Sequence, residues 1–163
     1  MLQIPELTDA DLAAFKRDGF LVKRGAFSAE DMANIATWTN EVLALPEISG
    51  RHWVYHEKSR KDGSELVSKI APFHNGFQNL TDALAAPVGQ LLGERAVLFK
   101  EKINFKMPGG GGFAPHQDSQ AGWDTYADFF ISALLSIDRA TLENGCLQMV
   151  AGHHTQGLKK SWE

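Results

Sequence analysis

The chain has 163 residues, 44% hydrophobic and 22% charged, and its 16 Lys and Arg against 20 Asp and Glu leave a net charge of −4. One domain of that make-up can bury a core, while 15 Gly and 6 Pro are too few for a collagen-like or disordered chain. No apolar run nears the roughly 18 residues of a membrane span, and the acidic balance argues against a nucleic-acid surface.

Thr8 followed by Asp11 has capping-box spacing, and Leu7 can staple onto Leu12. The spacing predicts a helix from about Asp9 to Arg17 that buries Leu12 and Phe15 and stops at Gly19. Phe20-Leu-Val-Lys-Arg24 then reads as a strand. A second start follows, with Ser28 as N-cap, Asp31 three residues on and Phe27 placed to staple onto Met32. Met32, Ile35, Thr39 and Val42 share one face of that helix, and Pro46 bounds it.

Residues 47–79 mix a charge run, Glu57-Lys-Ser-Arg-Lys-Asp62, with Trp53, Tyr55, Phe73 and Phe77. Residues 58–64 read as an exposed loop. Thr81 is the expected cap of a short helix that reaches Leu92, with Pro87 forcing a break or a fresh start and Gly93 ending it. From Ala96 the pattern turns to period two. Residues 97–106 read as a strand, 113–118 as an extended piece after the glycine run 109–112, and 129–138 as a long apolar strand. Glu143-Asn-Gly145 is a tight turn, and residues 146–151 are a further strand. Helices first and strands afterwards predict a single domain over 1–163, with a helical portion to about 95 packed outside a sheet core.

The segment Gly109-Gly-Gly-Gly-Phe-Ala-Pro-His116-Gln-Asp118 carries the chemistry. In a strand, residues two apart point to one side. His116 and Asp118 then offer an imidazole and a carboxylate to one point, two-thirds of a facial triad for iron(II). A lone His-x-Asp is a weak signal, and a surface pair beside a glycine loop is the plain alternative. In the preceding strand Lys100, Lys102, Asn104 and Lys106 alternate with Glu101, Ile103 and Phe105, giving one polar and one mostly apolar face.

The context is more specific. Residues 99–118, then Ala121-Gly-Trp123, Ile131-Ser-Ala-Leu-Leu-Ser-Ile-Asp138 and Glu143-Asn-Gly-Cys-Leu-Gln-Met-Val-Ala-Gly-His-His154, strongly resemble the phytanoyl-CoA dioxygenase family of iron(II)- and 2-oxoglutarate-dependent oxygenases. Within it the chain looks most like the bacterial branch that includes organophosphonate hydroxylases. The likeness is looser before Phe99, beginning at Asp18-Gly-Phe-Leu-Val22.

The resemblance implies a mostly β fold, a double-stranded β-helix (jelly roll) with flanking helices, incomplete in this chain. It implies that His116 and Asp118 bind Fe(II), that Asn104, Phe113 and Ser132 lie at the co-substrate 2-oxoglutarate, and that O2 is consumed in hydroxylating a C–H bond. Lys100 and Lys102 then point toward the substrate, which their charge suits to a small anion such as a phosphonate or carboxylate. Gln117 points away from the pair. His153 and His154 stand where relatives carry a structural turn, and no spacing singles out His52, His56 or His74.

Relatives place their second histidine ligand and an arginine for 2-oxoglutarate downstream of the stretch matched here. The expectation is therefore a fragment of a longer enzyme. The alternative is a short form, either completed by another chain or acting as a catalytically incomplete module that binds a small anion. Cys146 is the single cysteine, so there is no intrachain disulfide, and a small core residue is its expected role. No basic segment followed by an apolar one opens the chain, so the expected setting is cytoplasmic, with a small-molecule substrate, no nucleic-acid or membrane partner, and the oligomeric state open.

Overall fold

A computed structural model of the chain describes residues 2–56, 64–68, 70–108 and 112–158. The first helix, α1 (Asp9–Asp18), begins where the sequence predicts. The Thr8 hydroxyl accepts from Asp11 N at 3.2 Å, and Thr8 N donates to Asp11 Oδ2 at 2.9 Å. These bonds close the capping box and satisfy amides that the helix itself cannot. Gly19 ends α1 at φ 82°, a left-handed conformation costly for any residue with a Cβ. Leu12 and Phe15 are half-buried rather than buried.

The expected strand over 20–24 does not form. That segment runs beside α1 with no ladder, and Lys23 Nζ reaches back to Asp11 Oδ2 at 2.5 Å.

The second helix, α2 (Ala29–Leu43), repeats the cap with Ser28 and Asp31. Its predicted stripe faces the core. Ile35 is fully buried, Val42 nearly so, and Met32 packs beside them with Phe27.

The stretch with the least regular pattern holds a hairpin. Strand β1 (Trp53–His56) pairs antiparallel with β2 (Ser64–Ser68), with a register shift between Tyr55 and His56. Apart from Ser64, the loop expected over 58–64 lies outside the described residues.

The third helix, α3 (Asn75–Leu92), begins six residues before Thr81 and passes through Pro87 without ending. The His74 ring caps it, with Nδ1 accepting from Phe77 N at 3.4 Å. The Thr81 hydroxyl instead bonds back to Phe77 O at 2.9 Å, as mid-helix threonines do. Pro87 removes one N–H and is itself buried within the helix. Gly93 stops the helix at φ 77°, as expected. Gly76 lets α3 approach α2, since a Cβ there would stand 2.3 Å from the Trp38 ring. At the far end the Gln90 side chain accepts from Leu7 N at 2.9 Å and donates to Leu7 O at 3.3 Å, tying the N-terminus to α3.

Strand β3 (Lys102–Asn104) completes one antiparallel sheet in the order β1-β2-β3. The core gathers Leu2, Ile35, Val42, Ile70, Phe77, Leu80 and Phe105, with Leu135 and Ile137 packed on its edge.

The sequence predicts four strands after Ala96, and only the middle of the first forms a ladder. Residues 113–118, 129–138 and 146–151 pair with no strand among the described residues, so the double-stranded β-helix does not appear there and the regular structure is mainly helical. The physical reason lies in what periodicity encodes. Alternation says which side chains share a face, but a strand also needs a neighbour to take its backbone N–H and C=O groups. The turn at Glu143-Asn-Gly145 does form, with Cys146 N donating to Thr141 O at 2.8 Å and Gly145 at φ 84°.

Candidate metal site

β3 delivers the alternation read from the sequence. Ile103 and Phe105 point into the core, and Lys102, Asn104 and Lys106 take the other side. Lys100 Nζ lies 4.0 Å from the centre of the Trp123 ring. Lys102 and Lys106 lie 5.7 Å and 4.2 Å from the centre of Phe113. Lys106 at Phe113 was not among the expected site residues, though its place in the alternation could have found it. Trp123 joins Phe99 and Phe130 in an aromatic cluster, so its role here is packing.

Asn104 Oδ1 is shielded from solvent and has no partner among the described residues. A buried amide oxygen without a partner costs free energy. Phe113 connects the lysine face to the next element, its ring edge-on to His116 at 6.4 Å.

His116 and Asp118 come together, but not on a strand. His116 lies in the irregular segment that follows Gly112, and Asp118 opens a 3-10 turn over Asp118–Ala121. The turn still leaves the two side chains on one side, with His116 Nε2 3.5 Å from Asp118 Oδ1. His116 Nδ1 is 2.7 Å from Ala114 O. A carbonyl can only accept, so Nδ1 carries the proton, and in the neutral ring Nε2 keeps its lone pair. Two acceptors then face each other at 3.5 Å, an arrangement a shared cation satisfies. Two bonds of about 2.1 Å to one ion would hold their donor atoms roughly 3.0–3.5 Å apart. An imidazole fixed through its other nitrogen, beside a carboxylate, fits a divalent transition metal. Both side chains are about half exposed, which leaves the pair open to an ion.

Asp118 has a second contact. The Ser132 hydroxyl donates to Asp118 Oδ2 at 2.6 Å from a segment 14 residues away. No spacing rule predicts that bond. Gln117 turns away, as expected, and donates through Nε2 to Gly157 O. Among the described residues no cluster of three or more His, Cys, Asp or Glu forms.

His154 has a structural place, as expected. Its Nε2 meets Lys16 O at 3.2 Å, and Gly152 N donates to Asp18 O at 2.8 Å. Gly19 accommodates the ring, since a Cβ there would lie 2.2 Å from His154 Nδ1. The two segments Asp18-Gly19 and Gly152-His-His154 therefore interlock across the whole chain.

The phytanoyl-CoA dioxygenase family model matches residues 15–162. The chain belongs to that family. It is 36% identical over 150 residues to a 2-aminoethylphosphonate dioxygenase from the uncultured bacterium HF130_AEPn_1, covering 89% of this chain and 57% of that protein. It is 35% identical to a methylphosphonate hydroxylase of Gimesia maris, covering 93% of this chain and 59% of the relative. A more distant relative, at 25% identity over 83% of this chain and 50% of its own length, is a Stutzerimonas stutzeri protein named "Probable alpha-ketoglutarate-dependent hypophosphite dioxygenase". The chain thus spans between half and three fifths of the length of these relatives. No solved structure matches it. Among the described residues no helix is long and apolar enough to cross a membrane.

Proposed function

We propose that this chain carries a portion of the active site of an Fe(II)- and 2-oxoglutarate-dependent dioxygenase that hydroxylates a small anionic metabolite, an organophosphonate or a carboxylate, in the cytoplasm. The carrying observation is the His116–Asp118 pair, a ring nitrogen 3.5 Å from a carboxylate oxygen, in a chain of this family. The names of the two relatives above 30% identity support a phosphonate substrate, and the third supports 2-oxoglutarate. The complete jelly roll is likewise a proposal, resting on the family alone.

In this reading Fe(II) with 2-oxoglutarate and O2 supplies the oxidant for the substrate C–H bond. The chain's own residues do the holding. His116 and Asp118 supply two iron ligands, one neutral and one anionic. Asn104 offers its unpartnered amide to the co-substrate, and Phe113 gives it an apolar wall. Lys100 and Lys102 offer ammonium groups to the substrate anion. Their present seats on Trp123 and Phe113 are each worth only about 0.5–1 kcal/mol at exposed sites. A charge-assisted bond to a phosphonate is stronger, so the lysines can leave them.

The test is succinate formation by the full-length enzyme that contains this chain, from 2-oxoglutarate with Fe(II), ascorbate and either methylphosphonate or 2-aminoethylphosphonate. His116→Ala and Asp118→Ala should reduce it to background, and Lys102→Met should raise KM for the phosphonate while leaving the fold intact. Full turnover by His116→Ala would remove the metal assignment. An unchanged KM in Lys102→Met would remove the anion assignment alone.

A further inference from the structure

We infer that Ser132 is a positioning residue for the metal-binding carboxylate, acting through Asp118 rather than on 2-oxoglutarate. The inference rests on the reading of His116 and Asp118 as metal ligands. Its ground is a division of labour between the two carboxylate oxygens. Oδ2 accepts the Ser132 hydroxyl proton at 2.6 Å, within the range of a short charge-assisted O–H···O⁻ bond. Oδ1 faces His116 Nε2 at 3.5 Å. With Oδ2 held by the serine, the carboxylate presents Oδ1 on the side of His116.

The bond also fixes rotation. Asp118 is exposed and lies in a short 3-10 turn, so the turn alone does not settle where its carboxylate points. Ser132 comes from the segment whose Leu135 and Ile137 pack on the core. The hydroxyl is therefore delivered from an anchored stretch of chain. His116 is held in the same manner, by Nδ1 donating to Ala114 O. Each ligand is thus oriented by a second bond on the side away from the metal, an arrangement that tunes metal affinity.

A serine hydroxyl has one proton. While it is donated to Asp118, Ser132 cannot also donate to a carboxylate of 2-oxoglutarate. The two roles therefore separate by experiment. Mn(II) binding is measured by isothermal titration without 2-oxoglutarate, in wild type and in Ser132→Thr, Ser132→Val and His116→Ala, with circular dichroism reporting the fold. Thr and Val have nearly the same shape, so only the hydroxyl distinguishes them. Ser132→Val should weaken Mn(II) binding by about 10-fold or more, Ser132→Thr should restore it, and His116→Ala should abolish it. Equal affinity in the Thr and Val variants, with His116→Ala still defective, would overturn the positioning role and leave the metal reading standing. Equal behaviour of wild type and His116→Ala would overturn both.

Discussion

Among the described residues every buried hydrophobic side chain lies at or before Phe105, and beyond it the apolar side chains are half-buried at best. In the N-terminal region a pair of capping boxes, a histidine cap and a three-stranded sheet enclose Ile35, Val42, Phe77 and Leu80. In the C-terminal region Phe129, Leu134, Leu142, Leu147 and Val150 are each more than half exposed, and no ladder forms among the described residues. The candidate metal pair lies in the open region, but it is tied to the packed one. Ser132 holds Asp118 from a segment anchored by Leu135 and Ile137, and Gly152 and His154 dock on the end of α1. The difference separates two kinds of information. Helix ends are decided within four residues, whereas a strand is decided by whatever lies beside it.

The same truncation placed in each region should therefore give different results. Ile35→Ala removes a fully buried side chain and should cost about 2–5 kcal/mol in urea unfolding. Leu134→Ala removes one that is 67% exposed and should stay within about 0.5 kcal/mol. Similar losses at both sites would mean that the C-terminal region is as well packed as the N-terminal one.

Gly19→Ala tests the link between the regions. The left-handed backbone alone should cost about 1–2 kcal/mol, and the new Cβ would collide with His154. Hydrogen-exchange protection of the Gly152 amide, which donates to Asp18 O, should fall with it. In a His154→Ala background the penalty should shrink to the backbone cost. An unchanged penalty would mean that the ring is not the obstacle.

The smallest expected effect is a dependence on pH. The Lys23 ammonium, together with the Thr8 amide and hydroxyl, holds the Asp11 carboxyl down at about 2 from an ordinary value of 3.8. The folded state thus favours the charged form. Its contribution is fully present above about pH 4 and is lost as pH falls toward 2. Asp11→Asn should be less stable at neutral pH, and its deficit should narrow over that interval. A deficit that stays constant from pH 6 to pH 2 would show that the carboxylate charge plays no role in it.

These features differ in how far they could be read from the chain. Thr8, Ser28 and the two glycine stops declare α1, α2 and the end of α3, because capping chemistry is local. The start of α3 was hidden. Histidine is an uncommon cap, and Thr81 resembles one while bonding backward inside the helix. The hairpin of β1 and β2 was obscured by charge and by aromatics with no clean alternation. The convergence of His116 and Asp118 was legible at two-residue spacing, although a 3-10 turn rather than a strand produces it. The Ser132–Asp118 bond and the clasp of Gln90 on Leu7 span 14 and 83 residues, and no local pattern encodes them.

The central claim is that His116 and Asp118 share one divalent cation, and the ring nitrogens of the six histidines report on it directly. In nitrogen-15 spectra at neutral pH, His116 should show the tautomer protonated at Nδ1. Substoichiometric Mn(II) should broaden its Nε2 signal before that of any other histidine, and Asp118→Ala should remove the effect. Equal broadening of all six rings, or first broadening at His153 or His154, would contradict the claim.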